Sequence, residues 1–136
     1  MPSPLVNQLK SEHRKIQEVF QKIREVGGSS PEGRALLFEA KDLILSHIKT
    51  EDEHIYPSLA RSAEGREVAE GFAREMGNLS QAIIDFFAKY EKGDESAIQF
   101  AVDLGRVMGA MSTRIIREES RLYEAYDRMV ANRMTA

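Results

Sequence analysis

Hydrophobic residues recur every three to four positions along most of the chain, which is the spacing of one face of an α-helix. The first such stretch follows Ser3-Pro4, a typical helix start with proline in the first turn, and runs to about Val26. The pattern therefore predicts a first helix with one apolar stripe to bury. The residues of this stripe are Leu5, Leu9, Ile16, Phe20 and Ile23.

A second helix is predicted after the turn Gly27-Gly28-Ser29-Ser30, because Ser30-Pro31 repeats the helix-start signal. It extends to about Arg61, and Pro57 is expected to end or kink it. The spacing of its apolar residues is again helical. They are Leu36, Leu37, Phe38, Leu43, Ile44, Ile48, Ile55 and Leu59.

Two further helices complete the pattern. The third begins near Ser62-Ala63-Glu64, and the turn Lys92-Gly93-Asp94 separates it from the fourth, with Asp94 as a candidate N-cap. The apolar positions of the third helix are Val68, Phe72, Met76, Leu79, Ile83, Phe86, Phe87 and Tyr90, and those of the fourth are Ile98, Val102, Val107, Met111, Ile115, Leu122 and Tyr126.

Four long amphipathic helices with short turns predict an all-α fold, an antiparallel up-down-up-down four-helix bundle. No stretch of alternating hydrophobic and polar residues competes with this reading of the sequence. The chain has 136 residues, and a chain of this size buries most of its apolar surface around one core. We therefore expect a single four-helix domain over residues 1–136.

Charge and cysteine content exclude several classes of function. The 22 acidic and 19 basic residues are mixed along the chain, so no basic stripe is present to bind nucleic acid. Without cysteine there is no disulfide, thiolate metal site or cysteine nucleophile. The apolar runs are too short to span a membrane, and Met1-Pro-Ser-Pro does not resemble a signal peptide. These features predict a cytoplasmic protein.

All three histidines lie on the first two predicted helices. His13 follows Leu9 by four positions and so lies on the apolar stripe, where a titratable ring needs a partner. His47, Glu51 and His54 occupy positions i, i+4 and i+7, which fall within roughly 60° of one another on a helix. This polar stripe is predicted to face or border the core.

Two imidazoles and a carboxylate inside a bundle suit a first-row divalent metal, and zinc accepts the same ligands. Glu118 is a further candidate ligand, because Ile115 and Leu122 flank it at core spacing. Each residue alone has a plainer explanation, either a hydrogen-bonded core histidine or a His–Glu pair on a solvated helix face. Their coincidence on neighbouring helices favours the metal site.

Three segments of the chain resemble the motifs of a known family. Glu12-His13-Arg14-Lys15-Ile16 is similar to a first-helix histidine motif, and the segment from His47 to Pro57 is similar to a His-x-x-x-Glu motif that runs into an aromatic residue and a proline. The segment from Arg114 to Tyr123, on the fourth predicted helix, resembles the same motif. Through these segments the chain resembles the hemerythrin-like (HHE) cation-binding family over nearly its whole length.

The resemblance implies an antiparallel bundle that holds two irons with histidines from all four helices and two bridging carboxylates. It also implies a function that involves a small molecule or iron: oxygen binding, chemistry on nitric oxide or peroxide, iron sensing, or repair of iron clusters. The chain matches this pattern at His13, His47 and Glu51, and Glu118 matches the second bridging carboxylate.

The second half of the family's site is missing in this sequence. Met76 stands where the third-helix histidine is expected, Arg114 stands opposite His47, and Arg121 stands opposite His54. Arginine stays protonated and cannot bind a metal, but it supplies positive charge. We therefore expect Arg114 to lie inside the bundle and to pair with Glu118, and with Glu51 as well.

The leading hypothesis is a mononuclear or incomplete diiron site. Its ligands are His13, His47 and Glu51, with His54 or Glu118 as further ligands. Iron is preferred through the resemblance, and zinc is the alternative by ligand type. The expected role is binding or sensing of a small diatomic ligand, or iron handling, rather than a defined enzymatic turnover, in a monomer or homodimer.

Two alternatives stay open. The first is a haem-binding bundle, in which the histidines and Met76 are potential axial ligands and Gly77, Gly105 and Gly109 leave room for the macrocycle. Glycine in a helix also marks close helix packing.

The second alternative is a metal-free scaffold or protein-interaction module, in which Arg114 neutralises the buried carboxylates. The adjacent Phe86 and Phe87 would then matter, since one ring is expected to face away from the core or into a partner. No separate cluster supports an acid-base or nucleophilic enzyme.

Overall fold

The computed structural model describes residues 2–28, 30–91 and 96–135, and within these ranges it contains helices and no strand. Helix α1 is Pro4–Val26 and helix α3 is Ala63–Tyr90. Helix α2 runs without a break through Pro31–Thr50, Glu51–Ile55 and Tyr56–Leu59, and helix α4 through Ala97–Arg117, Glu118–Leu122 and Tyr123–Thr135. The middle stretch of α2 and that of α4 are π-helical. The predicted four-helix bundle is confirmed.

Each helix begins at a serine whose side chain accepts a hydrogen bond from a backbone N–H three residues later. These N-caps are Ser3, Ser30, Ser62 and Ser96. Such a cap contributes about 1 kcal/mol, because it satisfies an N–H that has no partner within the helix. The starts predicted at Ser3, Ser30 and Ser62 are confirmed. The predicted turn Lys92-Gly93-Asp94, with its candidate cap Asp94, lies outside the described residues, as does Ser29.

Two apolar clusters show that neighbouring helices are antiparallel. The upper cluster combines residues from the first halves of α1 and α3 with residues from the second halves of α2 and α4. The lower cluster combines the opposite ends of the same helices. The upper cluster consists of Val6, Leu9, Ile55, Leu59, Phe72, Met76, Leu122, Tyr123 and Ala125. The lower cluster consists of Ile16, Val19, Phe20, Ile23, Leu37, Ala40, Ile44, Ile83, Phe86, Phe87, Tyr90, Phe100, Leu104, Val107, Ala110, Met111 and Ile115.

The sequence pattern misplaced the first turns of α4. Ile98 and Val102, predicted as core positions, are 81% and 47% exposed, and the buried residues there are Phe100 and Leu104. Phe100 and Leu104 keep helical spacing with Val107, whereas Ile98 lies on the opposite side of the helix. The hydrophobic residues at the start of α4 therefore divide between two faces.

The two adjacent phenylalanines of α3 are both in the lower cluster, so the expectation that one ring faces away from the core is wrong. The ring of Phe87 lies 6.2 Å from that of Phe20 on α1, and the ring of Phe86 lies 6.0 Å from that of Phe100 on α4. Because adjacent positions on a helix diverge by about 100°, each ring enters a different helix interface.

Gly77, Gly105 and Gly109 lie on exposed helix surfaces, and a Cβ added to any of them would meet no atom within 4 Å. Gly105 borders a cavity of about 470 Å³ in the lower half of the bundle, but neither Met76 nor a histidine lines this cavity, so the glycines make no room for a macrocycle beside the expected axial ligands. They also allow no close helix contact among the described residues, so the close packing expected from the sequence is wrong. None of the helices in the described part of the chain combines the length and apolarity needed to cross a membrane.

Candidate metal centre

Four buried polar side chains lie between the upper and lower clusters. His13 comes from α1, His47 and Glu51 from α2, and Glu118 from α4, and none is more than 4% exposed. Burying an ionisable group without a partner is costly, so such a set is stable only if its members satisfy one another or hold an ion.

A π-helical turn follows each of the two buried carboxylates. The backbone N–H of Tyr56 donates to the carbonyl of Glu51, and the N–H of Tyr123 donates to the carbonyl of Glu118. This i→i+5 pattern inserts one extra residue per turn, so the positions that follow are rotated relative to an α-helix. Such turns occur frequently at functional sites.

The rotation determines where His54 lies. It falls inside the π-turn of α2 and is exposed, while Ile55 takes the buried position. The structure therefore does not bring His54 together with His47 and Glu51, because the regular helical spacing that placed all three on one stripe ends at Glu51.

The two buried imidazoles face each other and share one carboxylate oxygen. His13 Nε2 lies 2.7 Å from Glu118 Oε1 and 3.0 Å from His47 Nε2, and His47 Nε2 lies 3.3 Å from the same oxygen. These three side chains offer donor atoms that all lie within 4.8 Å of one another. They form the most compact set of metal-binding atoms among the described residues.

Each imidazole is held from behind by a partly exposed carboxylate. His13 Nδ1 lies 2.8 Å from Glu119 Oε2, and His47 Nδ1 lies 2.8 Å from Glu12 Oε1. A carboxylate at Nδ1 keeps a proton on that nitrogen and leaves the lone pair on Nε2. This arrangement is typical of metal-binding histidines, whose second nitrogen is oriented by an outer hydrogen bond.

Glu51 borders the three-residue set through one oxygen and leaves the other without a hydrogen bond. Its Oε2 accepts a 2.9 Å hydrogen bond from the Tyr123 hydroxyl and lies 3.5 Å from His47 Nε2. Its Oε1 is buried and has no hydrogen-bond partner among the described residues. A buried carboxylate oxygen in this state needs either a proton or a cation.

Arg114 points into the bundle, as predicted. Its Nε donates a 3.1 Å hydrogen bond to Glu118 Oε2, and its Nη2 lies 3.7 Å from Glu51 Oε1. A third contact joins Nη1 to the Ser80 hydroxyl. The guanidinium thus approaches both buried carboxylates from the side opposite the histidines. Arg121 instead lies on the surface, 2.8 Å from Glu75.

The Hemerythrin HHE cation binding domain matches residues 5–126 of the chain. The chain belongs to this family. The family resemblance inferred from the sequence motifs is therefore confirmed, and cation binding by the hemerythrin domain agrees with the buried nitrogen and oxygen donors between its helices. No match was found among curated proteins or solved structures.

The metal-free hemerythrin domain balances its buried charges internally. Burial alone would lower the pKa of His47, but hydrogen bonds and charge from Glu118 and Glu51 outweigh burial and raise this pKa to about 10. Burial would raise the pKa of Glu118, but hydrogen bonds from His13 and His47 and the charge of Arg114 hold it below its ordinary range. Burial raises the pKa of Glu51 to about 7, against the opposing effect of His47.

The residues present fit a bound cation. Imidazole nitrogen and carboxylate oxygen are donors that iron and zinc accept. Oε1 of Glu51 accepts no hydrogen bond and lies 3.7 Å from the Arg114 guanidinium, so a closer cation would satisfy it better. Met76, the potential haem ligand, is buried in the upper cluster. Because the cavity that Gly105 borders is lined by neither Met76 nor a histidine, haem is not part of our proposal.

Three residues of the site were not predicted as site residues from the sequence: Glu12, Glu119 and Tyr123. The hydroxyl of Tyr123 lies 3.2 Å from Nε2 of His13 and from Nε2 of His47. Tyr123 follows Glu118 by five positions, as Tyr56 follows Glu51, so a repeated Glu-x-x-x-x-Tyr spacing was present in the sequence. On a regular α-helix, five positions separate side chains by about 140°, which made both tyrosines look unrelated to the carboxylates.

Proposed function

We propose that this hemerythrin domain binds a single metal ion, preferably iron, through His13, His47 and Glu118, with Glu51 as a further ligand. One observation carries the proposal: two imidazole nitrogens and a carboxylate oxygen from three different helices converge at one buried point. Family membership supports a cation at this point. Zinc is the alternative metal, because it accepts the same donors.

A single ion is favoured over a pair because Arg114 lies where the second half of the site would be. Its guanidinium contacts Glu118 and lies close to Glu51, so it supplies the positive charge that a second ion would bring. The corresponding position of α3 holds Met76 in an apolar cluster. This half of the bundle therefore offers no imidazole nitrogen.

Small-molecule binding is supported by a cavity of about 290 Å³ that reaches the site. Its inner end is formed by His13, His47 and Glu118, and its walls are predominantly apolar side chains of α2 and α3 such as Ile44 and Ile83. An apolar cavity of about 150 Å³ can hold benzene, so diatomic molecules and peroxide fit easily.

The residues around the site have separate tasks in this proposal. Glu12 and Glu119 hold protons on Nδ1, so that Nε2 of each histidine is the atom that faces the metal and gives up any proton to it, while Arg114 fixes the orientation of Glu118. A bound iron would supply redox chemistry and an open coordination position for oxygen, nitric oxide or peroxide. The proposed role is sensing or binding of such a ligand, or iron handling.

Metal analysis of protein purified without an affinity tag tests the proposal. We expect about one iron or zinc per chain, a lower melting temperature in chelator, and loss of the metal in His47→Ala. His54→Ala is the matched control, because this histidine is exposed and should leave metal content unchanged. A metal-free protein whose stability is unchanged by chelator, or a His47→Ala variant with full metal content, contradicts the proposal.

One observation favours a second candidate, a metal-free scaffold. The protonated His47 and Arg114 already act as counter-ions to the buried carboxylates, so the fold needs no metal for charge balance. The same measurement separates the two functions, since the scaffold predicts equal stability with and without metal.

A further inference from the structure

A fourth oxygen joins the three donor atoms of the proposed site. The Tyr123 hydroxyl lies 3.2 Å from Nε2 of both histidines and 3.1 Å from Glu118 Oε1. Together with the three separations among His13, His47 and Glu118, all six distances fall between 2.7 and 3.3 Å. The four atoms are therefore the corners of a nearly regular tetrahedron.

The size of this tetrahedron matches a coordination shell. A regular tetrahedron with edges of about 3.1 Å has its centre about 1.9 Å from each corner, close to the 2.0–2.1 Å of metal–nitrogen bonds. Hydrogen bonding alone does not require four donor atoms to surround one point. A shared cation at the centre explains why they do.

The backbone of α4 holds the phenol in this position. Tyr123 is the first residue after the π-turn and is only 1% exposed. Its ring stacks on that of His13, with an interplanar angle of 15° and centroids 5.6 Å apart. A ring packed in this way has little freedom, so its oxygen is pre-positioned toward the site.

We propose that Tyr123 is a ligand of the metal, which makes the site a phenolate site selective for iron(III). This inference rests on the proposed function. On binding, the metal–oxygen bond replaces the phenolic O–H bond, and the proton leaves to solvent, with no change in oxidation state. The phenolate adds a third anionic oxygen to those of Glu118 and Glu51. Three anionic donors favour a trivalent ion over iron(II) or zinc.

Iron(III) supplied as its nitrilotriacetate complex tests the proposal by colour. A phenolate bound to iron(III) gives a charge-transfer band in the visible, and excitation in that band enhances tyrosine ring vibrations in the Raman spectrum. We expect both signals in the wild-type protein and neither in Tyr123→Phe. Tyr56→Phe is the matched control: Tyr56 follows the π-turn of α2 at the same position but is only partly buried and lies outside the four-donor set.

Iron content measured in parallel distinguishes the possible failures. Wild-type protein that binds iron without the band overturns the ligand role of Tyr123 and leaves the proposed metal site intact. The same holds if Tyr123→Phe keeps the full band at equal iron content. Wild-type protein that binds no metal overturns both proposals.

A second measurement avoids the variant, in case Tyr123→Phe does not fold. The chain has four tyrosines and no tryptophan, so ionisation of a single phenol is readily seen in the ultraviolet difference spectrum. Saturating iron-free wild-type protein with gallium(III), a trivalent ion that has no visible absorption and does not change oxidation state, should produce the signal of one phenolate per ion bound. Gallium bound without this signal overturns the proposal.

Discussion

The two halves of the bundle share a backbone design but differ in their chemistry. Glu51 on α2 and Glu118 on α4 are both buried, and each is followed by a π-turn that ends at a tyrosine. One turn before the carboxylate, however, α2 carries His47 and α4 carries Arg114. The first half therefore presents an imidazole nitrogen that can exchange its proton for a metal ion, and the second half presents a permanent positive charge.

This difference shows that the carboxylates and the backbone around them do not depend on a metal in each half. Glu118 keeps its buried position because Arg114 pairs with it, just as the histidines contact it from the other side. A guanidinium and a metal ion can serve the same electrostatic purpose beside a carboxylate. Only the metal offers open coordination positions. An arginine in its place therefore keeps the carboxylate buried and the fold intact but cannot bind a small ligand.

The largest expected effect comes from removing the arginine. Arg114→Met leaves Glu118 and Glu51 short of a counter-charge in the interior, so we expect a loss of about 3–5 kcal/mol in the free energy of unfolding of the metal-free protein. Urea denaturation measures it. Arg121→Met is the control, because its pair with Glu75 is exposed and contributes less than about 1 kcal/mol. Equal losses in the two variants would mean that Arg114 is not an internal cation.

The second prediction makes the two halves alike. Met76→His combined with Arg114→His restores one family histidine on α3 and one on α4. Iron bound per chain should then rise toward two, measured under identical loading of parent and variant. Met76→His combined with Arg121→His supplies the same number of histidines with one on the surface, and should show no gain. A folded double variant with unchanged iron content would mean that the second half has lost the geometry of a metal site.

A smaller effect concerns the pH dependence of the metal-free protein. The pKa of Glu51 is raised from 4.5 to about 7, so its folded state holds a proton more tightly than the unfolded chain. The resulting stability is present below pH 4.5 and is lost as the pH rises through 7. Glu51→Gln mimics the protonated side chain. Its free energy of unfolding, compared with that of the parent, should therefore rise by on the order of 3 kcal/mol between low pH and a pH well above 7.

Thermal or urea unfolding of both proteins across this pH range measures the difference. Glu53→Gln is the control, since Glu53 is exposed and should change neither stability nor metal binding. With metal bound, the parent should be the more stable of the two proteins, because the ionised carboxylate of Glu51 holds the metal better than the neutral amide of glutamine. If Glu53→Gln lost metal while Glu51→Gln kept it, the assignment of Glu51 to the site would be wrong.

The regular part of the site was accessible from the sequence. His13, His47, Glu51 and Glu118 lie on α-helical stripes that the spacing of apolar residues identifies, and all four are buried. The inward direction of Arg114 followed from charge, since two buried carboxylates need a cation. These inferences succeeded because helical periodicity and charge balance act locally.

The irregular part was not accessible, for one physical reason. A π-turn adds a residue without a signal in the hydrophobic spacing, so periodicity placed His54 on the polar stripe and passed over Tyr123. The prediction that Ile98 is buried was wrong for a related reason, because hydrophobic residues lie on both faces of the first turns of α4. Spacing alone cannot choose between two faces when each carries apolar side chains.

The carboxylates behind the two histidines have a consequence for exchange with solvent. The side chains of Glu119 and Glu12 are 35% and 26% exposed, whereas those of His13 and His47 are 2% and 5% exposed. A proton at the buried centre is thus one imidazole and one carboxylate away from bulk water. Protons can leave along this relay while the helices stay packed, whereas the cavity that reaches the same centre is lined mainly by apolar side chains and suits an uncharged small molecule. Protons and small ligands therefore have separate paths to the same four side chains.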